Sequence, residues 1–267
     1  DNLLYRDTKT FEYKPLLATS YKWVDNKTLE FKIRKGVKFH NGQTLTADDV
    51  VATYNHVSAK DSGILTKRNA NWIERAEKTG PDTVRVHLKE TFPAALEYVS
   101  GPLAIFPKDI WKTAKKDAKG RPDYGTVAPI GTGPYISVKN VPGESVHLEK
   151  NPNYWKGSPK GQPSIGKIVF RTVSDPEAQI AELLSGSLDW IWDVPKDKAE
   201  QLKLIGISKV VSAPTMRISY IAMDRAGRSG KGKENPFFDK KVRQAVAHAV
   251  DRKAIAKNLV GGASQVI

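Results

Sequence analysis

Residues 15–55 read PLLATSYKWVDNKTLEFKIRKGVKFHNGQTLTADDVVATYN, and three local signals follow one another there without a gap. In 28–34, Leu29, Phe31 and Ile33 alternate with Glu30, Lys32 and Arg34, the period of a strand with one buried face. Residues 17–23 form a second run, and the turn-forming Asp25-Asn26 between the two predicts a hairpin. After Gly36, Val37 and Phe39 give a short apolar alternation, and His40-Asn41-Gly42 makes a second turn. Thr46 then reads as a helix N-cap with Asp49 three residues on, and Val50, Val51, Tyr54 and Val57 share one helical face.

Working outward, 83–89 places Val84, Val86 and Leu88 on one face of a strand, and Pro93 opens a short helix that Ser100-Gly101 closes. Residues 59–75 read as a polar irregular loop with Asp61-Ser62-Gly63 at its tip, either solvated decoration or part of a binding rim. Residues 108–118 predict a basic helix. The glycine-rich turn Ile130-Gly131-Thr132-Gly133-Pro134 leads into a strand; without a following helix or a Lys-Ser/Thr pair it is not a phosphate loop. A strand through Val146 and Leu148 and a buried strand over 165–173 come next. Asp175-Pro176-Glu177 starts a helix, and 195–204 and 239–250 are two more; 188–193, 207–212 and 216–224 read as strands. Strands and helices in alternation predict a mixed α/β chain.

The 267 residues, 39% of them hydrophobic, suffice for a sizeable core, and no apolar run is long enough for a membrane span. Residues 1–3 carry no signal segment, so a leader for an exported protein lies outside this sequence. The absence of cysteine excludes disulfides, thiolate metal sites and a cysteine nucleophile. The five histidines, His40, His56, His87, His147 and His248, show no ligand spacing, and His87 and His147 fall on outward strand positions where exposure is the default. No catalytic motif is present, so no enzymatic activity is expected. A surplus of 43 Lys and Arg over 29 Asp and Glu, net +14, invites an anionic partner. Its densest run, Lys108, Lys112, Lys115, Lys116, Lys119 and Arg121, is broken by Asp109, Asp117 and Asp123 and lacks an aromatic ladder, which favours a solvated basic face over a nucleic-acid site. Asp48-Asp49 is accounted for by the positive end of a helix.

The segment Asp189-Trp190-Ile191-Trp192-Asp193, read as a strand, puts both indoles on one side. They either pack under a neighbouring helix or form a flat cleft wall suited to stacking on a solute. Arg217 offers a fork of donors to a carboxylate or is a surface cation; Tyr220 hydrogen-bonds a ligand or fills space beside Met223.

The order Trp23, Arg34, Gly36, Val37, Phe39, Gly42, Asp49 resembles the signature segment of solute-binding protein family 5, the extracytoplasmic receptors of peptide and nickel ABC importers. Two further blocks keep the family's order: GTGPY (131–135) with LEKNPNYW (148–155), and SGSLDW (185–190) with FFDKKVRQAVAHAVDRKAI (237–255). The resemblance implies a type II periplasmic-binding-protein-like α/β fold of the large cluster with an extra domain. It implies a small accessory domain over 1–106, part of a central lobe over 107–215 and the start of a distal lobe over 216–267, most of that lobe lying outside this sequence. The implied function is that of the substrate-binding component of an ABC importer, holding a peptide or similar small solute between lobes and delivering it to the permease. It implies no cofactor or metal, a monomer, no nucleic acid, and a periplasmic or extracytoplasmic location. The implied ligand-binding residues are Trp192, Asp193, Arg217, Ser219 and Tyr220; Ser62 joins them as the candidate from the rim reading of 61–63. The alternative is a basic module that binds nucleic acid or an anionic surface.

Overall fold

The alternation in 28–33 decides the first sheet of the structure, a computed structural model that describes residues 1–64, 66–213, 218–228, 234–260 and 266. The described chain divides into two units, Asp1–Thr172 and Val173–Ile267. In the first, β1 (Leu4–Arg6) pairs with β2 (Tyr13–Pro15), and β3 (Ala18–Asp25) forms the expected hairpin with β4 (Thr28–Ile33). Asp25 Oδ1 closes the turn by accepting from the Lys27 N–H at 2.7 Å. Helix α1 (Ala47–Ser58) follows, its start fixed where Asp49 Oδ2 accepts from the Thr46 backbone N–H at 2.8 Å and from Thr46 Oγ1 at 2.7 Å. Then come β5 (Ile73–Gly80), β6 (Thr83–Leu88) and α2 (Ala95–Ser100).

The antiparallel order β3-β4-β6-β5 sets Leu29 opposite Val86 and Phe31 opposite Val84. With Ile33 and Leu88 these residues are buried, and Val50 and Tyr54 of α1 join them in one core. Asn55, on the same helix, pins the outer strand: its Nδ2 donates to the Ala76 carbonyl at 2.9 Å and its Oδ1 accepts from the Ala76 N–H at 2.7 Å.

Strand β5 corrects the reading of 59–75 as loop throughout. Its register slips between Ile73 and Arg75, so its buried positions Ile73 and Ala76 lose the period of two that marks a strand. His87 is likewise not left in solvent, because Glu77 of that strand reaches its Nε2 at 2.8 Å. The basic helix expected over 108–118 is instead one 3-10 turn, Ile110–Thr113, followed by a small hairpin of β7 (Lys115–Lys116) and β8 (Pro122–Asp123). Asp117 is the reason: its Oδ1 accepts from the backbone N–H groups of Lys119 at 2.8 Å and Arg121 at 2.9 Å, and this local capture competes with helix.

A second antiparallel sheet, ordered β11-β10-β9, consists of β9 (Tyr135–Val141), β10 (Ser145–Lys150) and β11 (Lys167–Arg171). β11 was expected to be buried, but it is an outer strand paired with β10, and Val169 and Phe170 are exposed.

Unit Val173–Ile267 contains α3 (Pro176–Leu184), α4 (Lys196–Ile205), α5 (Lys240–Ala249) and α6 (Arg252–Ile255). Aspartates cap three of them: Asp175 accepts from the Glu177 N–H, Asp239 from Lys241 and Asp251 from Ala254. The strands expected over 188–193 and 207–212, and over the described residues 218–224, do not form. A helix closes its hydrogen bonds within itself, whereas a strand needs a neighbour, and none of these segments meets one among the described residues.

Candidate ligand-binding site

The motif blocks of the first unit meet at His40. Its backbone N–H donates to the Gly131 carbonyl at 2.8 Å, Nδ1 accepts from the Gly131 N–H at 3.3 Å, and Nε2 lies 3.0 Å from the Gly133 carbonyl. Accepting at Nδ1 and donating at Nε2 requires the neutral Nε2–H tautomer. Burial agrees, holding the imidazole below its ordinary value against the opposing Gly133 hydrogen bond. Asn151 Nδ2 donates to the same Gly133 carbonyl at 3.0 Å, and Trp155 lies under the Arg34 guanidinium, 4.5 Å from ring centre to Cζ. Thus the 34–42, 131–135 and 151–155 segments form one scaffold. The turn that looked like a phosphate loop is gripped by a histidine.

In the second unit the aromatic segment lies between two helices. At the end of α3, Gly186 takes a φ of 79°, which a side chain tolerates poorly, and Ser187 and Leu188 donate their N–H groups back to the Glu182 carbonyl at 2.8 and 3.1 Å. This turn delivers Asp189, Trp190, Ile191, Trp192 and Asp193 to the start of α4. No strand forms, yet the rings of Trp190 and Trp192 still meet, with centroids 5.4 Å apart at an interplanar angle of 62°. They are 71% and 59% exposed, while Ile191 is half-buried. Asp193 sits at φ 56°, a left-handed conformation uncommon outside glycine.

Of the other expected residues, Ser219 is exposed, Tyr220 is 81% exposed, and Arg217 lies outside the described residues. Ser62 belongs to the first unit, is 3% exposed, and its Oγ has no hydrogen-bond partner. The structure therefore brings Trp192 against Trp190 with Asp193 next in the chain, has Ser219 and Tyr220 in the same unit, and puts Ser62 in the other.

An aromatic cluster near Ser62 escaped sequence reading. His56 stacks on Trp111 with centroids 4.4 Å apart, and Tyr124 stands edge-on to both. His56 Nε2 and Trp111 Nε1 are buried without partners. These side chains come from scattered positions, so no local pattern joins them. Among the described residues no group of three or more His, Asp or Glu is placed to hold a metal ion, and no helix is long and apolar enough to cross a membrane.

The model of the bacterial extracellular solute-binding proteins, family 5 Middle, matches residues 12–267. The chain belongs to this family. It is 30% identical to the oligopeptide-binding protein AppA of Bacillus subtilis strain 168 over 271 residues, which take in 100% of this chain and 48% of AppA. It is 28% identical to the glutathione-binding protein GsiB of Salmonella choleraesuis, covering 95% of this chain and 47% of GsiB. The solved structure of MoaA from A. tumefaciens R10, in complex with mannopinic acid, superposes with a TM-score of 0.76 at 26% identity over 96% of this chain and 50% of MoaA. The fold is thus the mixed α/β fold of type II periplasmic binding proteins, and the chain spans about half the length of the relatives it matches.

Proposed function

We propose that this chain is part of the substrate-binding component of an ABC importer, holding a peptide or similar small solute in an interlobe cleft and handing it to the permease on the extracytoplasmic side. The family match over 12–267 carries the reading, and the names of relatives, which include an oligopeptide, a glutathione and a peptide receptor, support the solute class. We propose the division 1–106, 107–215 and 216–267 for its domains, a monomeric state, and solute contacts from Trp192, Asp193, Arg217, Ser219 and Tyr220. Ser62 is included because its buried Oγ lacks a protein partner. Two exposed indoles in edge-to-face contact suit such a role: they offer flat stacking surface at little cost in rotamer freedom and tolerate variation in the solute. No chemical step is proposed.

Native mass spectrometry of the intact protein, purified without denaturation, is expected to reveal a co-purified small solute. Calorimetry with that solute should then show Trp192→Ala weakening binding by about tenfold, the size of one lost aromatic contact. Unchanged affinity would remove Trp192 from the site, and turnover of the solute would overturn the transport reading.

A further inference from the structure

The basic run noticed in the sequence remains unused by the solute site. Its surroundings are built rather than loose. The ring of His56, near the end of α1, stacks on Trp111 at an interplanar angle of 12°, and Tyr124 meets these rings edge-on at 5.2 and 5.7 Å. Phe106 joins the cluster, its ring centre 5.1 Å from that of Trp111 at an interplanar angle of 61°. Gly63 closes on Tyr124 so tightly that a Cβ there would lie 3.1 Å from its Cε2. Through Gly63, Trp111 and Tyr124, the described residues of the excursions 59–70 and 107–127 are tied to each other and to α1.

The acids of the 107–127 excursion are consumed internally. Asp109 pairs with Lys112 at 2.6 Å; Asp117 holds the hairpin turn and Arg121 at 2.8 Å; Asp123 accepts from the Gly125 N–H at 3.0 Å. Lys60, Arg68, Lys108, Lys115, Lys116 and Lys119 are all exposed and have no carboxylate partner among the described residues. We propose that these two excursions form a basic platform that docks reversibly on an anionic phospholipid surface.

Three observations select this partner. Five of the six free cations are lysines, hydrated point charges on flexible stems that match a diffuse anionic surface better than bidentate recognition does. Among the described residues of 59–70 and 107–127 no large hydrophobic side chain is exposed, whereas exposed lysines are frequent, which fits a charged surface better than an apolar one. Trp111 and Tyr124 are engaged with His56 instead of standing out as a stacking platform for bases.

The test is co-sedimentation of the intact protein with vesicles of phosphatidylglycerol and phosphatidylcholine. Binding is expected at low ionic strength, absent on pure phosphatidylcholine, and lost as salt rises. K115Q/K116Q/K119Q should weaken it by on the order of a hundredfold, since each basic residue at an anionic surface contributes roughly a fivefold factor. The control K9Q/K150Q/K156Q removes the same charge from exposed lysines outside the two excursions and should change binding by less than about threefold, because charges that do not meet the lipid are screened by salt. Equal loss in both triple variants would show that net charge alone acts and overturn the platform. No binding to anionic vesicles at low salt, or tighter binding to a single-stranded oligonucleotide than to the vesicles, would overturn the lipid partner. Unchanged unfolding midpoints in urea for both variants confirm that folding is not what the vesicles report.

Discussion

In Asp1–Thr172 the apolar positions of β3, β4, β6 and α1 close on one another, from Leu29 and Phe31 to Val86 and Tyr54. In Val173–Ile267 the same kinds of residue lie open: Leu202 is the one buried hydrophobic side chain among the described residues, while Leu204, two positions on, is 88% exposed. Yet α3, α5 and α6 start at well-formed aspartate caps. The difference separates two sources of order. Helices and their caps arise within a dozen residues, whereas strands and cores exist only when another part of the chain supplies the facing surface. The second unit has the local half of this and lacks the other among its described residues.

The contrast is broken most directly by truncation. Phe31→Ala removes a fully buried ring from β4 and is expected to cost about 3–5 kcal/mol, read as a lower urea midpoint and faster hydrogen exchange in β4 and β6. Leu204→Ala removes side-chain surface already in water and should stay within about 0.5 kcal/mol. Comparable losses would mean that Leu204 is covered in solution and that the two units are built alike.

Legibility in the sequence follows the same line. The hairpin of β3 and β4, the Thr46–Asp49 cap and the helix starts at Asp175 and Asp239 are local and were readable. β5 was not, because a register slip hides its period, and neither was the turn of 115–123, where an aspartate side chain overrides a run that otherwise looks helical. The strands expected in the second unit do not form among the described residues, where they meet no neighbour. At the candidate site, the strand expected to set Trp190 and Trp192 on one side is absent, and the contact of their rings comes from the turn after α3 instead. The partners of His40 and of His56 could not be foreseen, since each pairs with residues far along the chain.

A second prediction concerns pH. His40 and His56 are both held below the ordinary histidine value, chiefly by burial, with Asp61 opposing the effect at His56. The unfolded chain therefore binds more protons than the folded one in the window below about 6.5. Stability of the first unit should be complete above that value and fall as the pH drops through the lowered native values. His40→Ala loses the hydrogen bonds to Gly131 and Gly133, expected to cost about 1–3 kcal/mol at neutral pH, and flattens part of the acid dependence. A pH profile that His40→Ala leaves unaltered would mean that its imidazole does not grip the 131–133 turn.

The smallest effect sharpens the comparison by asking what one cap does with and without a core. Asp239 accepts from the Lys241 N–H at 2.7 Å, and in α5 only Val242, Arg243 and Val246 are half-buried. Asp239→Ala should cost about 1 kcal/mol, read as roughly fivefold faster amide exchange confined to α5, with β4 and β6 unaffected. Asp49 stands at the third position of α1, reaching back to the N-cap Thr46, but it is buried and also accepts from the Lys108 N–H at 2.9 Å, joining the helix start to the 107–127 excursion. Its replacement by Ala would leave the N–H groups of Thr46 and Lys108 without their acceptor, and its effect should spread to the first sheet. If Asp239→Ala instead slowed or sped exchange in β4, the second unit would be coupled to a core that its own burial does not reveal.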